Sequence, residues 1–178
     1  RDMKQAQITL IFPTYKRPEE VIFNLKYFRE NISIPYEVFV LDNSPAAMNH
    51  TFEENEHYFF LDENLGTASR NIGLEKASSP LCLLLDDDSH PMPGAVESLV
   101  EHEKTAAENI AGFISQIHNP DGAREASLLP TVFHGAGVAF RTEIMRRDNL
   151  RYPENFCFYG EEYRLSLDIY KAGYRFEN

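Results

Sequence analysis

Three consecutive aspartates, Asp86, Asp87 and Asp88, close the apolar run Leu81–Leu85. That run reads as a buried strand, so a hydrophobic element ends abruptly in three like charges. Adjacent carboxylates repel, and burial adds to the cost of ionising each one. A cluster of this kind is tolerated in a wet turn or around a divalent cation. Hard cations such as Mg²⁺ and Mn²⁺ take carboxylate oxygens and leave positions open for substrate phosphates. Placement at the carboxyl end of a strand favours the second use, because open α/β sheets bind their ligands there.

The elements around this cluster must deliver other polar groups to the same edge. Ile8–Phe12 is a short β-rich run that Pro13 is expected to stop. Pro18-Glu19-Glu20 then opens a helix, with proline in the first turn and acids at its positive end. Tyr36–Leu41 and Tyr58–Leu61 read as further strands, ending at Asp42-Asn43-Ser44-Pro45 and at Asp62. Helices are expected over Thr67–Ala77, Pro93–Ala107 and Glu161–Ala172, with Gly173 as the C-terminal cap of the last. A strand begins at Ala111, the stretch from His118 to Pro130 reads as an exposed loop, and a glycine-interrupted strand is expected over Val132–Phe140. The alternation of strand and helix implies an α/β fold: one Rossmann-like domain with a mostly parallel central sheet flanked by helices. Its strand ends would bring Pro13-Thr14-Tyr15, Asp42-Asn43, Asp62-Glu63-Asn64 and Asp86-Asp87-Asp88 to one crevice.

Bulk properties narrow the function. A chain of 178 residues with 43% hydrophobic and 25% charged content fits one ordinary globular domain. Its net charge of −11 argues against nucleic acid as a partner, since phosphate backbones need basic patches. A polyanionic ligand would need local help from a metal or a few placed arginines. No apolar stretch approaches the roughly 20 residues that span a bilayer. Two cysteines, Cys82 and Cys157, make neither a disulfide framework nor a zinc site, and the composition fits a reducing cytoplasm. His90 and His134 are lone loop histidines and are not counted as ligands. The first residue is Arg1, so a trimmed chain is expected.

Five segments, taken in order, resemble a known family. Phe12-Pro13-Thr14-Tyr15-Lys16-Arg17 followed by Leu41-Asp42-Asn43-Ser44 is similar to the start of a family 2 glycosyltransferase with the nucleotide-diphospho-sugar transferase (A-type) fold. Asn64-Leu65-Gly66-Thr67-Ala68-Ser69-Arg70-Asn71-Ile72-Gly73 resembles that family's second nucleotide-site segment, and Leu85–Pro91 its Asp-x-Asp segment. Gly135–Arg141 and Gly160–Leu165 resemble its acceptor-side segments.

The resemblance implies roles for individual residues. Pro13, Thr14 and Tyr15 would lie beside the nucleotide base, with Arg17 in the same loop assisting at the phosphates. Asp42 would accept a hydrogen bond from the base imide. Asn64, Gly66 and Arg70 would line the base and phosphate side. Asp86 would face the ribose and, with Asp88, hold Mn²⁺ or Mg²⁺, while Asp87 points away as strand alternation requires. Glu162 would be the base and Glu161 would orient the acceptor. The family usually carries Glu-Asp there, and two acids at a helix start also suit the macrodipole unaided. Tyr152 to Tyr159, with Phe156 and Phe158, would offer an aromatic platform or core packing.

The expected activity is metal-dependent, inverting transfer of a sugar from a nucleotide diphosphate donor, UDP or TDP favoured, to an acceptor hydroxyl. A glycan or lipid-linked acceptor and cell-surface polysaccharide biosynthesis follow at family level. The location would be cytoplasmic, with peripheral association at the inner face of a membrane. Residues up to about 90 would form the nucleotide-binding half and the remainder an acceptor-binding half truncated at its C-terminus. The alternative is a non-catalytic or truncated domain that binds a nucleotide sugar. A nucleotidyltransferase or a nicotinamide-binding fold is disfavoured, since no glycine-rich loop follows the first strand.

Overall fold

The computed structural model describes residues 5–125, 131–155 and 160–178. Strand β1 (Ile8–Thr14) leads into helix α1 (Pro18–Asn31), then strands β2 (Tyr36–Asp42) and β3 (Glu56–Phe60). A 3₁₀ turn over Gly66–Ser69 runs directly into α2 (Arg70–Lys76), which returns the chain to β4 (Leu81–Leu84). Helix α3 (Ala95–Glu103) and strand β5 (Ile110–Ile114) follow, then a small hairpin of β6 (Ile117–His118) and β7 (Arg124–Glu125). The chain continues through β8 (Val138–Arg141), α4 (Thr142–Arg147), α5 (Glu161–Lys171) and β9 (Arg175–Glu177).

Seven strands form the main sheet in the order β3-β2-β1-β4-β8-β5-β9. Pairings among β3, β2, β1 and β4 are parallel, β8 is antiparallel to both of its neighbours, and β9 lies parallel to β5. The sheet is therefore mostly parallel, flanked by helices. From β1 the chain moves outward through β2 to β3 and then crosses back to β4 on the other side of β1. That reversal makes the β1–β4 boundary the topological switch point, the place where such sheets open a ligand crevice.

Strand alternation divides the core. Ile8, Leu10 and Phe12 of β1 face α1 and α3, where Val21, Leu25, Phe28, Val96 and Val100 cover them. Ile11, with Cys82 and Leu84 of β4, faces the opposite layer, built from Leu74, Ile144, Met145, Leu165 and Ile169. Helix α2 approaches β1 closely at Gly73, where a Cβ would stand 2.6 Å from Ile11 Cγ2. Only glycine allows that approach.

Several expected boundaries move. Pro13 does not end β1, which pairs with β2 through Thr14↔Asp42. The helix expected from Thr67 begins as a 3₁₀ turn because Gly66 enters it at φ +54°. The helix expected over Pro93–Ala107 is confined to Ala95–Glu103. The strand expected over Val132–Phe140 is confined to Val138–Arg141, since Gly137 sits at φ +81°. The stretch read as an exposed loop from His118 contains β7, and α4 and β9 were not expected. Phe156, Phe158 and Tyr159 of the expected aromatic platform lie outside the described residues, as does Cys157.

Candidate active site at the β1–β4 crevice

The three aspartates separate as they leave β4. Asp87 turns inward and is 7% exposed. The Thr14 hydroxyl donates to its Oδ2 at 2.8 Å, and Arg17 Nη1 donates to its Oδ1 at 2.6 Å. Asn24, on the inner face of α1, donates to the Asp87 carbonyl at 2.8 Å. Burial, opposed by the Thr14 hydrogen bond and the Arg17 charge, raises the Asp87 carboxyl above its ordinary value. Asp87 thus ties the exit of β4 to the exit of β1.

Asp86 and Asp88 point elsewhere. The Asp86 side chain is half exposed, and Arg70 Nη2 donates to its Oδ1 at 2.6 Å. Asp88 is exposed, and Arg17 Nη1 reaches its Oδ2 at 3.2 Å. Three adjacent carboxylates are therefore shared between two arginines, Arg17 on Asp87 and Asp88 and Arg70 on Asp86. Ser89 closes the turn, its hydroxyl accepting from Asp86 N–H at 2.9 Å.

Arg70 was read as lining the base and phosphate side. It is 1% exposed, so its guanidinium lies inside the protein. It also donates to the Leu85 carbonyl at 3.3 Å, and its guanidinium carbon lies 5.8 Å from the centre of the Tyr152 ring. A charge so buried is held by what it pairs with.

Asp42 is 3% exposed, and both of its oxygens have partners. Ser44 N–H donates to Oδ1 at 2.9 Å, and the Tyr58 hydroxyl donates to Oδ2 at 2.6 Å. Burial and this carboxylate push the Tyr58 hydroxyl up to about 12. Asn43 accepts from Leu65 N–H at 2.9 Å and so fixes the start of the Gly66–Ser69 turn. Asn64 is exposed and accepts from Gly66 N–H at 3.0 Å. Pro13 and Tyr15 are at the mouth, Tyr15 being 46% exposed. Lys16 takes up a positive φ of 56°, and its N–H donates to the Ser44 hydroxyl at 2.7 Å.

The acidic pair stands at the first turn of α5, entered through Gly160 at φ +105°. Glu161 is 4% exposed, and its Oε2 has no hydrogen-bond partner among the described residues. Glu162 faces Gly135, where a Cβ would lie 3.1 Å from Oε1. Burial raises the Glu162 carboxyl, the charges of Glu161 and Asp86 add to that, and Arg70 opposes it. A carboxylate with a raised proton affinity is suited to accept a proton.

Two carboxylates, Asp86 and Asp88, are the cation donors this loop offers. Among the described residues no group of three or more His, Cys, Asp or Glu could hold a metal ion. Asp86 keeps one oxygen clear of Arg70 and Asp88 is exposed. That donor set fits a hard cation whose remaining positions are filled by water and substrate phosphates, the usual arrangement for Mg²⁺. No helix among the described residues is long and apolar enough to cross a membrane.

The model of Glycosyl transferase family 2 matches residues 9–160, from β1 to the entrance of α5. The chain belongs to glycosyl transferase family 2. The match takes in the exits of β1, β2 and β4 and stops one residue short of the acidic pair. No curated protein sequence matches the chain.

Solved structures share the glycosyltransferase fold. S. aureus TarS 1–349 in complex with UDP-GlcNAc aligns with a TM-score of 0.70 and 14% identity, covering 92% of this chain and 53% of TarS 1–349. The mannosyltransferase PcManGT from Pyrobaculum calidifontis, in complex with GDP-Man and Mn²⁺, aligns with a TM-score of 0.69 and 18% identity, covering 98% of this chain and 55% of that one. The catalytic domain of Drosophila β1,4-galactosyltransferase 7 aligns with a TM-score of 0.61 and 15% identity, covering 97% of this chain and 64% of that domain. The chain thus spans little more than half the length of the first two.

Sequence reasoning named Thr14, Arg17, Arg70, Asp86, Asp87 and Asp88, which hydrogen bonds link in two groups here. It passed over Tyr58, Asn24 and Asn71, each of which holds a named site residue or its neighbour by a hydrogen bond. Asn24 lies among apolar positions of α1, at the helical spacing of Val21 and Phe28, and that placement was the available signal.

Proposed function

We propose that this chain is a metal-dependent, inverting glycosyltransferase that moves a sugar from a nucleoside diphosphate donor to an acceptor hydroxyl. One observation carries the reading. Arg70 holds Asp86 at 2.6 Å, and the charges of both act on the half-buried Glu162 carboxyl, so donor-side and acceptor-side carboxylates stand near one buried guanidinium.

The donor diphosphate lies against the exits of β1 and β4. Asp86 and Asp88 would hold Mn²⁺ or Mg²⁺, which when bound offsets the negative charge that develops on the departing diphosphate. Arg17 supplies a second positive charge at the same loop. The base meets the rim of Pro13, Thr14, Tyr15, Asn64 and Gly66. Buried Asp42, held by Ser44 and Tyr58, would receive the imide N–H of uridine or thymidine on its remaining lone pairs. Glu162 takes the acceptor hydroxyl proton as the oxygen attacks the anomeric carbon. The bond from that carbon to the phosphate oxygen breaks with its electron pair leaving on the diphosphate, and the configuration inverts. Glu161 orients the acceptor.

A glycan or lipid-linked sugar is the acceptor class we infer, used in cell-surface polysaccharide assembly on the cytoplasmic side of a membrane. The test is release of nucleoside diphosphate from UDP-GlcNAc and GDP-mannose, with Mn²⁺, by the chain and by Glu162→Gln. Release that needs Mn²⁺ and is lost in the variant while donor affinity persists supports the assignment. Equal release by the variant overturns Glu162 as the base.

A further inference from the structure

Asn71 follows Arg70 on α2, and its side chain grips the backbone of Tyr152 from both sides. Its Nδ2 donates to the Tyr152 carbonyl at 2.9 Å, and its Oδ1 accepts from Tyr152 N–H at 2.8 Å. One amide side chain thereby satisfies both backbone groups of a residue 81 positions away, as a strand neighbour would. Tyr152 is fully buried, and its hydroxyl has no hydrogen-bond partner among the described residues. The ring therefore serves as a spacer rather than as a polar group. The Arg70 guanidinium stands on it, and the Phe133 ring packs against it edge-on at 6.2 Å. Two residues beyond Phe133, Gly135 stands against the Glu162 carboxylate. A continuous line of contacts runs from Asp86 through Arg70 and Tyr152 to Phe133 and the Gly135–Glu162 approach.

We propose that Asn71 is a positioning residue: by fixing Tyr152 against α2 it sets the spacing between Asp86 on the donor side and Glu162 on the acceptor side. This rests on the glycosyl-transfer reading for its catalytic consequence, though not for its structural one. Misplacing reacting groups by about 1 Å costs on the order of 100-fold in rate. The donor carboxylates do not touch Asn71, so donor affinity should be spared.

The experiment uses the whole chain with Asn71→Ala and the milder Asn71→Asp, which keeps the acceptor for Tyr152 N–H and loses the donor. Two readouts are taken: release of nucleoside diphosphate from UDP-GlcNAc and GDP-mannose with Mn²⁺, and amide hydrogen exchange. Asn71→Ala should lower kcat by about 10-fold or more while KM for the donor stays within about 3-fold, Asn71→Asp falling between it and the native chain. Exchange in residues 150–155 and in the first turn of α5 should rise together, with β1 and β4 unchanged. Unchanged exchange at α5, or kcat and KM altered to the same degree, overturns the proposal. If the native chain releases nothing from either donor, the functional reading fails, and the exchange data still decide whether Asn71 couples the two sides.

Discussion

Pro13 denies the Leu85 carbonyl the next rung of the β1–β4 ladder. Leu85 N–H donates to the Ile11 carbonyl at 2.9 Å, so the next rung would run from the N–H of residue 13 to the Leu85 carbonyl. Proline has no N–H. The Leu85 carbonyl instead accepts from Arg70, which also carries Asp86. The missing donor in β1 thus opens the sheet at the switch point and gives a buried cation an acceptor there.

Arg70→Lys should fail to restore this arrangement. Arg70 spans Leu85 O and Asp86 Oδ1 from one nitrogen while its planar head stands on Tyr152, a geometry an ammonium cannot reproduce. Thermal or denaturant unfolding should show a loss of about 1–3 kcal/mol, the range for a buried polar group left partly unpaired. Stability equal to that of the native chain would mean that the buried guanidinium is not needed.

Neighbouring aspartates should behave in opposite ways. Asp87→Asn disturbs a buried carboxylate that binds Thr14 and Arg17, and should cost about 1–3 kcal/mol in denaturant unfolding. Asp88→Asn alters an exposed side chain and should stay within about 0.5 kcal/mol. Reversed costs would show that the two side chains have exchanged roles.

The raised Glu162 carboxyl has two consequences for pH. In the proposed role of base it must be deprotonated, so the acid limb of kcat/KM should lie above the ordinary glutamate value of 4.5. For stability the sign is the reverse of a salt-bridged acid. The folded state binds this proton more tightly than the unfolded state, so the contribution is present below about 4.5 and lost as pH rises through the folded value. Glu162→Gln should therefore gain stability over the native chain as pH rises from 4 to 8. A pH-independent difference would contradict the burial that raises this group.

The central strands were legible because each is an apolar run ended by turn residues, and their polar exits could be aligned before any coordinates. The antiparallel insertion of β8 was not, since Val138-Ala139-Phe140 carries no mark of direction. Helix α4 has six residues and β9 has three, too short for a periodic pattern to register. At the site, Asp87 was separated from its neighbours by strand alternation alone. The resemblance names Arg70 but not its burial, because an arginine in an amphipathic helix reads as solvated. Its burial depends on Tyr152, which no local pattern connects to it. Asn71 escaped notice for the same reason.

The central claim is a cation-assisted nucleoside diphosphate site at the exits of β1 and β4. Calorimetric titration of UDP, TDP and GDP, with and without Mn²⁺, into the native chain and Asp88→Asn tests it most directly. Binding to the native chain that requires Mn²⁺ and is lost in Asp88→Asn is the predicted result. Absence of binding by all three nucleotides in both conditions, or equal binding by the variant, would contradict it.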